Sequence, residues 1–259
     1  MTTKLPFVRA LIAALCLFSA NISLAAEDGW HFGLGTGMLA LGIEGDTGFT
    51  TGAGAIKTKV DLNADEVSDL LDSAIGFGGF AAHGKYTILF SYSAIELDGG
   101  VSGSLDGGAP FSASLNLEVT QASVAVSYLF AQTGKHAWGA LFGLRYTDHK
   151  YDINFSIADM AARLKIDQDW TDIVVGMTHA YPLSDRFAWK SRVDYGFGGS
   201  EGTLFANTGI SWRINHRFTT TLFAQITAID FENRRAPHPN WYLYDVDESG
   251  IGLNVLVTW

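Results

Sequence analysis

The sequence predicts an all-β protein, folded as a closed antiparallel transmembrane β-barrel of about ten strands. Three observations lead to this prediction. The 259 residues include 29 Gly and 13% aromatic residues but only 5 Pro, which is typical of strands joined by tight turns. From Trp30 onwards apolar and polar residues alternate with a period of two. The last alternating run closes on an aromatic residue, Trp259. Eight strands is the alternative count.

The composition excludes several classes of function. Acidic residues number 27 and Lys plus Arg 17, so the formal net charge is -10, and a chain this acidic is poorly suited to gripping nucleic acid. The one cysteine, Cys16, allows neither a disulfide framework nor a cysteine metal cluster. The sequence has no HExxH, P-loop or G-x-S-x-G motif. We therefore expect no cofactor and no nucleic-acid partner.

The first 25 residues have the three-part pattern of a cleaved secretory signal peptide. Lys4 and Arg9 make the beginning basic, residues 10–18 form an uninterrupted apolar run, and small residues precede a cut after Ala25 or Ala26. A retained transmembrane helix is the alternative, but the apolar run is too short to span about 30 Å of hydrocarbon. We expect residues 1–25 to be removed and residues 26–259 to form the barrel.

The alternation from Trp30 onwards predicts the individual strands. In residues 187–198, for example, Phe187, Trp189 and Val193 fall on one face and small or charged residues on the other. A soluble sandwich also alternates, but its apolar face meets a second sheet, whereas in an outer-membrane barrel that face meets lipid and aromatic residues gather at both interfaces. The predicted strands are 29–42, 74–82, 86–97, 115–130, 136–147, 168–182, 187–198, 203–214, 217–231 and 246–259.

Short and long connections alternate along the chain, as in barrels with short periplasmic turns and longer extracellular loops. The long connections are predicted at 43–73, 98–114, 148–167 and 232–245. The connection near 199–202 is short, although it must lie on the long-loop side. Within the first long connection, residues 54–60 could supply an extra short strand. Asp65–Leu71 has helical spacing with Val67 and Leu70 on one side, which predicts a short amphipathic helix.

The end of the chain is the most specific local signal. Apolar residues alternate up to a terminal aromatic residue, as in the terminal-strand signal that bacterial barrel-assembly machinery recognises. An ordinary last strand is the alternative reading. The residues of this C-terminal signal are Ile251, Leu253, Val255, Val257 and Trp259.

Taken together, these segments resemble the small bacterial outer-membrane-protein β-barrel domain family, which is distantly similar to OmpA- and OmpW-like barrels. The resemblance extends over nearly all of the chain after the signal peptide. It implies an integral outer-membrane barrel and brings no established catalytic residues. The segments that support it are VDLNADEVSDLLDS (60–73), GLRYTD (143–148), WTDIVVG (170–176), YPLSDRF (181–187), VDYGFGGS (193–200) and ISWRINHRFTTTL (210–222).

Charged residues with inward parity predict an ion-paired network in the lumen, because a buried charge is costly unless it is paired. One interpretation is a closed polar plug, and the other is a narrow pore whose charges set its selectivity. The plug is favoured, since large water-filled channels belong to barrels of about sixteen strands. The predicted network consists of Arg145, Asp172, Lys190, Arg192, Asp194 and Arg213.

Two sets of residues in the long connections combine a base with a carboxylate, as hydrolases do. They are Asp148 with His149, and His238 with Glu232 and Asp245. Solvated loop residues are the favoured interpretation of both. The cations and aromatic residues of 232–245 could instead contact lipopolysaccharide.

The sequence therefore predicts a monomeric protein of the cell outer membrane, without enzymatic activity, whose role is structural or interactive and includes passive passage of small solutes. The alternatives are a narrow selective channel and a barrel enzyme acting on lipids or peptides. The expected partners are outer-membrane lipid, lipopolysaccharide and the barrel-assembly machinery.

Overall fold

The computed structural model describes residues 29–51, 54–104, 110–157 and 160–259, so the predicted signal peptide at 1–25 lies outside the described residues. The described part forms one antiparallel sheet of eleven strands and one helix. In chain order the elements are β1 (Trp30–Thr51), β2 (Gly54–Leu62), α1 (Ala64–Leu70), β3 (Leu71–His83), β4 (Tyr86–Ser104), β5 (Pro110–Thr133), β6 (His136–Ile157), β7 (Met160–Pro182), β8 (Phe187–Phe197), β9 (Gly202–Arg213), β10 (Phe218–Glu232) and β11 (Tyr242–Thr258).

The sheet closes on itself through its first and last strands. One edge of β1 pairs with the whole length of β11, from Gly33 opposite Thr258 to Phe49 opposite Tyr242. The other edge is shared, because residues 30–35 pair with β3 and residues 43–51 pair with β2. Ten strands therefore complete the ring, and β2 is attached to it as an eleventh.

The predicted count of ten strands is thus wrong by one. The additional strand is β2, which contains the short segment 54–60 considered above. Its residues are mostly exposed. Ile56 and Val60 alternate with Lys57 and Lys59, so the period of two is present, but the prediction places this segment within a long connection.

The helix α1 lies where β1 and β3 part, and its prediction is confirmed. Asn63 caps it by accepting hydrogen bonds from the backbone N–H groups of Asp65 and Glu66, and the Glu66 carboxylate accepts one from the Asn63 N–H in return. Val67 is buried and packs with Leu39 on the inner side of the wall. The helix therefore covers the stretch where β1 is not paired with β3.

Two of the predicted long connections are mostly strand. β4 and β5 continue through most of 98–114, and β6 and β7 through most of 148–167, so these strands have 19 to 24 residues. The hydrogen-bonded ladder continues there, but the polarity of the two faces is exchanged. In β6 and β7, for example, Ile153 and Ile166 point inwards and Lys150 and Lys165 point outwards, so the pattern of an apolar outer face is not met. These connections are therefore tall hairpins at the upper end of the barrel.

The lower end is the one with the short turns. Two of them place a glycine with positive φ in a two-residue loop, Gly84 with φ 57° and Gly134 with φ 60°. Glycine accepts this left-handed conformation without steric cost. The first described residues and the C-terminus lie at the same end, since Phe32 and Trp259 exchange backbone hydrogen bonds.

The two faces of the ring differ sharply. Below the upper hairpins the outward side chains are mostly exposed and mainly apolar, whereas between the two ends of the ring the inward side chains are buried or half-buried. Among the described residues no helix is long and apolar enough to cross a membrane. The inward apolar residues form three clusters. The lower apolar cluster is Phe80, Ala82, Leu89, Ala125, Leu141, Val174 and Leu256; the side apolar cluster is Leu39, Leu41, Val67, Ile95, Leu97, Phe205 and Phe223; the upper aromatic cluster is Trp170, Ile229, Phe231, Tyr242, Tyr244 and Val246.

Candidate functional site

Three of the predicted lumenal charges meet halfway up the barrel. The Asp194 carboxylate accepts a hydrogen bond from Arg145 Nη2 at 2.5 Å and another from Arg192 Nε at 2.6 Å. Asp194 is 1% exposed, and both arginines are also buried. One carboxylate thus compensates two guanidinium groups at the centre of the lumen.

An aromatic ring supports the same pair of cations. The guanidinium carbon of Arg145 lies 5.6 Å from the centroid of the Phe205 ring, and that of Arg192 lies 5.4 Å from it. The negative face of an aromatic ring attracts a cation at such distances, more strongly where water is excluded. Phe205 therefore joins the charged centre to the side apolar cluster.

The structure does not bring Asp172 into contact with a cation. Its carboxylate accepts hydrogen bonds from the backbone N–H groups of Gly199 and Ser200, at 3.1 and 2.7 Å, and from the Ser200 and Thr203 hydroxyl groups, at 2.8 and 3.1 Å. Asp172 thus stabilises the tight hairpin between β8 and β9 through these hydrogen bonds. This contact accounts for the short connection on the long-loop side.

The remaining two predicted charges lie lower in the barrel. Lys190 is buried, and its Cα partners across the sheet are the small residues Ala180 and Gly209, which leave room for its long side chain. Arg213 is exposed at the end of β9, next to the lower turn. Its backbone N–H donates to the carbonyl of Arg186 at 2.8 Å.

A further buried carboxylate, Glu248, lies in the lumen on β11. Its Oε1 accepts a hydrogen bond from the Tyr244 hydroxyl at 3.3 Å. Counting back from Ile251, which faces outwards, gives Glu248 inward parity, so the alternation could have identified it. The prediction missed Glu248, although the predicted strand 246–259 contains it, because only the apolar face of that strand was considered.

Aromatic residues fill the lumen above the charges. The Trp170 and Phe231 rings stack with centroids 4.1 Å apart, and the Tyr242 hydroxyl is 2.9 Å from His149 Nδ1 and 2.9 Å from the Tyr151 hydroxyl. His149 also lies edge-on to Trp170, with ring centroids 5.0 Å apart. The upper aromatic cluster and these two side chains together close the upper end of the lumen.

This upper layer lies above the level where outward residues are apolar. On the outer face of β6, Lys150 forms an ion pair with Asp148 at 2.9 Å, so the outer face is polar at this level. Burial lowers the pKa of His149 to about 3 and raises the pKa of Tyr151 to about 12. Both side chains are therefore uncharged near neutral pH, as suits a packed layer.

Neither base–carboxylate set from the long connections is assembled. Asp148 points outwards and His149 inwards, because they are consecutive on a strand. His238 Nδ1 accepts from the Asn240 N–H at 3.1 Å, while the Glu232 carboxylate accepts from Trp241 Nε1 at 2.6 Å. In the described ranges no group of three or more His, Cys, Asp or Glu residues is arranged to hold a metal ion.

The residues of the C-terminal signal lie on the outer face of β11. Ile251, Leu253 and Val255 are exposed, Val257 is half-buried, and the Trp259 ring stacks on Phe32 with centroids 6.1 Å apart. The signal therefore borders the seam at which the ring closes.

Comparisons with known proteins give structural likeness only. No protein-family model matches the chain, and no curated protein matches it. The chain is similar to the translocator domain of the autotransporter NalP from Neisseria meningitidis, with a TM-score of 0.45, 11% identity and 88% of both chains covered. It is also similar to a Pseudomonas aeruginosa FadL homologue, with a TM-score of 0.34, 6% identity and 90% of both chains covered.

A third solved structure is Ail, the attachment invasion locus protein of Yersinia pestis, in complex with sucrose octasulfate. Its TM-score is 0.31 at 9% identity, and the alignment covers 89% of this chain and 99% of Ail. All three are bacterial outer-membrane β-barrels.

Proposed function

We propose that this chain is a monomeric integral outer-membrane β-barrel with a filled lumen, whose role is structural or interactive and not enzymatic. The observation behind the proposal is a closed ring whose outer face is apolar and whose inner face is packed. The proposal concerns both the membrane location and the closed state of the lumen, and each has its own support.

The outer face supports the membrane location. Val193, Phe142 and Ile226 point away from the lumen at the middle levels of their strands and are 50%, 61% and 53% exposed. A continuous belt of such residues is far larger than the apolar patches that soluble monomers expose. Facing hydrocarbon, the same belt is stabilised, and even β8, with 11 residues, is long enough to span a bilayer.

The inner face supports the closed state. Inward side chains are almost completely buried at three successive levels, with Leu141 3%, Asp194 1% and Tyr242 2% exposed. A selective channel needs a continuous path of water past the charges that select the ion. The packing therefore favours the plug over the narrow channel.

The upper hairpins are the surface on which an interaction role rests. β5, β6 and β7 have 24, 22 and 23 residues, about twice the length that a membrane-spanning strand requires. Their upper halves stand beyond the apolar belt, where they can meet lipopolysaccharide head groups or other cells. During assembly the expected partner is the barrel-assembly machinery, through the C-terminal signal.

The test combines location and conductance. We expect the expressed protein to fractionate with the outer membrane and to need detergent for extraction. The refolded protein, shown to be inserted by protection from protease in lipid vesicles, should give no discrete current steps in a planar bilayer. Steps that change in an Arg192→Ala variant would instead establish an open, charge-lined pore, and extraction by buffer alone would refute the membrane location.

A further inference from the structure

Several buried polar atoms of the lumen have no hydrogen-bond partner among the described residues, and they lie together. Asn207 Oδ1, Thr227 Oγ1, Glu248 Oε2 and both amide atoms of Gln225 belong to one patch, and Arg145 Nη1 is unpartnered as well. All five side chains are at most 7% exposed. A buried polar group that makes no hydrogen bond costs about 1–3 kcal/mol, so this many unmet groups need an explanation.

The strand register shows that the patch is contiguous. Gln225 on β10 is directly opposite Asn207 on β9, and Thr227 on β10 is directly opposite Glu248 on β11. Side chains at such positions have Cβ atoms about 4.5–5.5 Å apart, and positions 225 and 227 are neighbours on the same inner face. The four side chains thus form one polar wall, which we call the polar patch.

The polar patch lies inside an enclosure of apolar side chains. The upper aromatic cluster adjoins it from above, because Ile229 and Phe231 follow Thr227 on the inner face of β10. Phe205 and Phe223 of the side apolar cluster flank it along the same two strands. Below, the lower apolar cluster fills the lumen. Bulk water therefore has no wide access to these atoms.

The chemistry of the unmet atoms selects the occupant. Arg145 Nη1 and the Gln225 nitrogen only donate, Asn207 Oδ1 and the Glu248 carboxylate oxygen only accept, and the Thr227 hydroxyl does both. A cation would leave the donors unmet and would face the Arg145 and Arg192 guanidinium groups. An anion would leave the acceptors unmet and would face Glu248. Only a neutral molecule that both donates and accepts satisfies the whole set.

We infer that the polar patch and Arg145 enclose a sealed hydration site, in which ordered water molecules bridge the Arg145 guanidinium to the Glu248 carboxylate. Such waters make about three hydrogen bonds each and are costly to remove. This inference goes beyond the proposed function. It adds ordered internal water to a lumen that has no continuous path for water. It links the charged centre on β6 and β8 to the opposite wall on β10 and β11.

Glutamine labelling gives a direct test, since the sequence has only four glutamines: 121, 132, 168 and 225. In protein labelled with ¹⁵N-glutamine and ¹³C-methyl leucine and refolded into lipid vesicles, solid-state NMR can measure magnetisation transfer from water to each side-chain amide and to the leucine methyl groups. We expect rapid transfer to Gln225, approaching that of the exposed Gln132. The methyl groups of Leu141, in the lower apolar cluster, provide the dry reference. Transfer to Gln225 as slow as to Leu141 would overturn the inference.

A stability comparison tests the same site independently. In a dry lumen Gln225→Leu removes two unmet polar groups and should raise the urea midpoint of unfolding. In a hydrated lumen Gln225→Leu removes hydrogen-bond partners from the bound water molecules, so we expect the urea midpoint to fall. Gln121→Leu is the matched control, an inward glutamine on β5 whose amide is not among the unmet atoms. A rise in the midpoint specific to Gln225→Leu would contradict the hydration site without touching the membrane location.

Discussion

Arg192 and Asp194 lie two positions apart on the inner face of one strand, and the Arg192 Nε donates to Asp194 Oδ2 at 2.6 Å. Residues i and i+2 of a strand point the same way, so this pair is set by β8 alone. The second guanidinium, from Arg145 on β6, reaches the same carboxylate across the intervening β7. Asp194 therefore links β8 to β6 over the intervening β7.

The first prediction concerns this carboxylate. Asp194→Asn leaves two buried guanidinium groups without their counter-charge, and removal of one partner from a buried ion pair typically costs about 3–5 kcal/mol. We expect a loss of that order in the free energy of unfolding, measured by urea titration of the protein in lipid vesicles. The matched control is Asp152→Asn in the exposed pair with Arg163, which should change stability little. Equal effects of the two substitutions would show that Asp194 is not the buried counter-charge of these two guanidinium groups.

The second prediction concerns the pH dependence of stability. The pKa of His149 is about 3 in the folded protein and near 6.5 in the unfolded chain, so below pH 6.5 the unfolded chain takes up a proton that the folded protein does not. The contribution of His149 is therefore complete above pH 6.5 and is lost as the pH falls towards 3, by about 1.4 kcal/mol per pH unit. The difference in unfolding free energy between the natural protein and His149→Phe should show this slope. A difference independent of pH would mean that water reaches the ring.

A third prediction tests the depth of the outer face. Val193 lies near the middle of β8, and Phe187 lies at its lower end, both facing outwards. An arginine on the lipid face costs about 2–4 kcal/mol at the midplane and about 0–1 near an interface. Val193→Arg should therefore lower the unfolding free energy in vesicles far more than Phe187→Arg. Similar costs at both positions would contradict the proposed orientation in the bilayer.

The fourth prediction separates recognition from stability at the C-terminus. The Trp259 ring is 64% exposed and stacks only on the edge of the seam, against Phe32. Trp259→Ala should therefore leave refolding into lipid vesicles almost unchanged. In cells, the amount of heat-modifiable barrel in the outer membrane should fall strongly, as judged by electrophoretic mobility without boiling. A parallel loss in both assays would make Trp259 a purely structural residue.

The sequence predicts much of the fold because an apolar outer face around a packed lumen imposes a strict alternation. Where the outer face is apolar, as along residues 187–197, the apolar and polar residues separate cleanly, and both the strand and the direction of its side chains can be predicted. Above this apolar belt the outer face is polar. The upper halves of β6 and β7 keep their backbone pairing and still alternate, but with polar residues such as Lys150 outwards and apolar ones such as Ile153 inwards, so they do not match the pattern of a strand with an apolar outer face.

The candidate site is less predictable for a different reason. Inward parity correctly identifies Arg145, Arg192 and Asp194 as lumenal. Which of these side chains contact each other depends on the register between strands, and the register cannot be deduced from the alternation within one strand. Asp172 has the same parity yet fastens a hairpin, because the turn at Gly199 and Ser200 folds back over it. The unmet atoms around Gln225 follow from packing across the lumen, which alternation alone does not encode.

The closure of β1 against β11 makes the ring a property of the whole chain. Gly33 pairs with Thr258, so the two strands that seal the barrel are separated by almost the entire sequence. Contacts between residues so far apart in sequence form late, since their pairing offsets the lost conformational entropy only after the chain between them is ordered. Until then β1 and β10 present bare edges, which invite pairing with other chains. A chain truncated before Tyr242 should consequently associate with other chains through these unpaired strand edges. Folding of the full chain is therefore best delayed until the last strand has been synthesised.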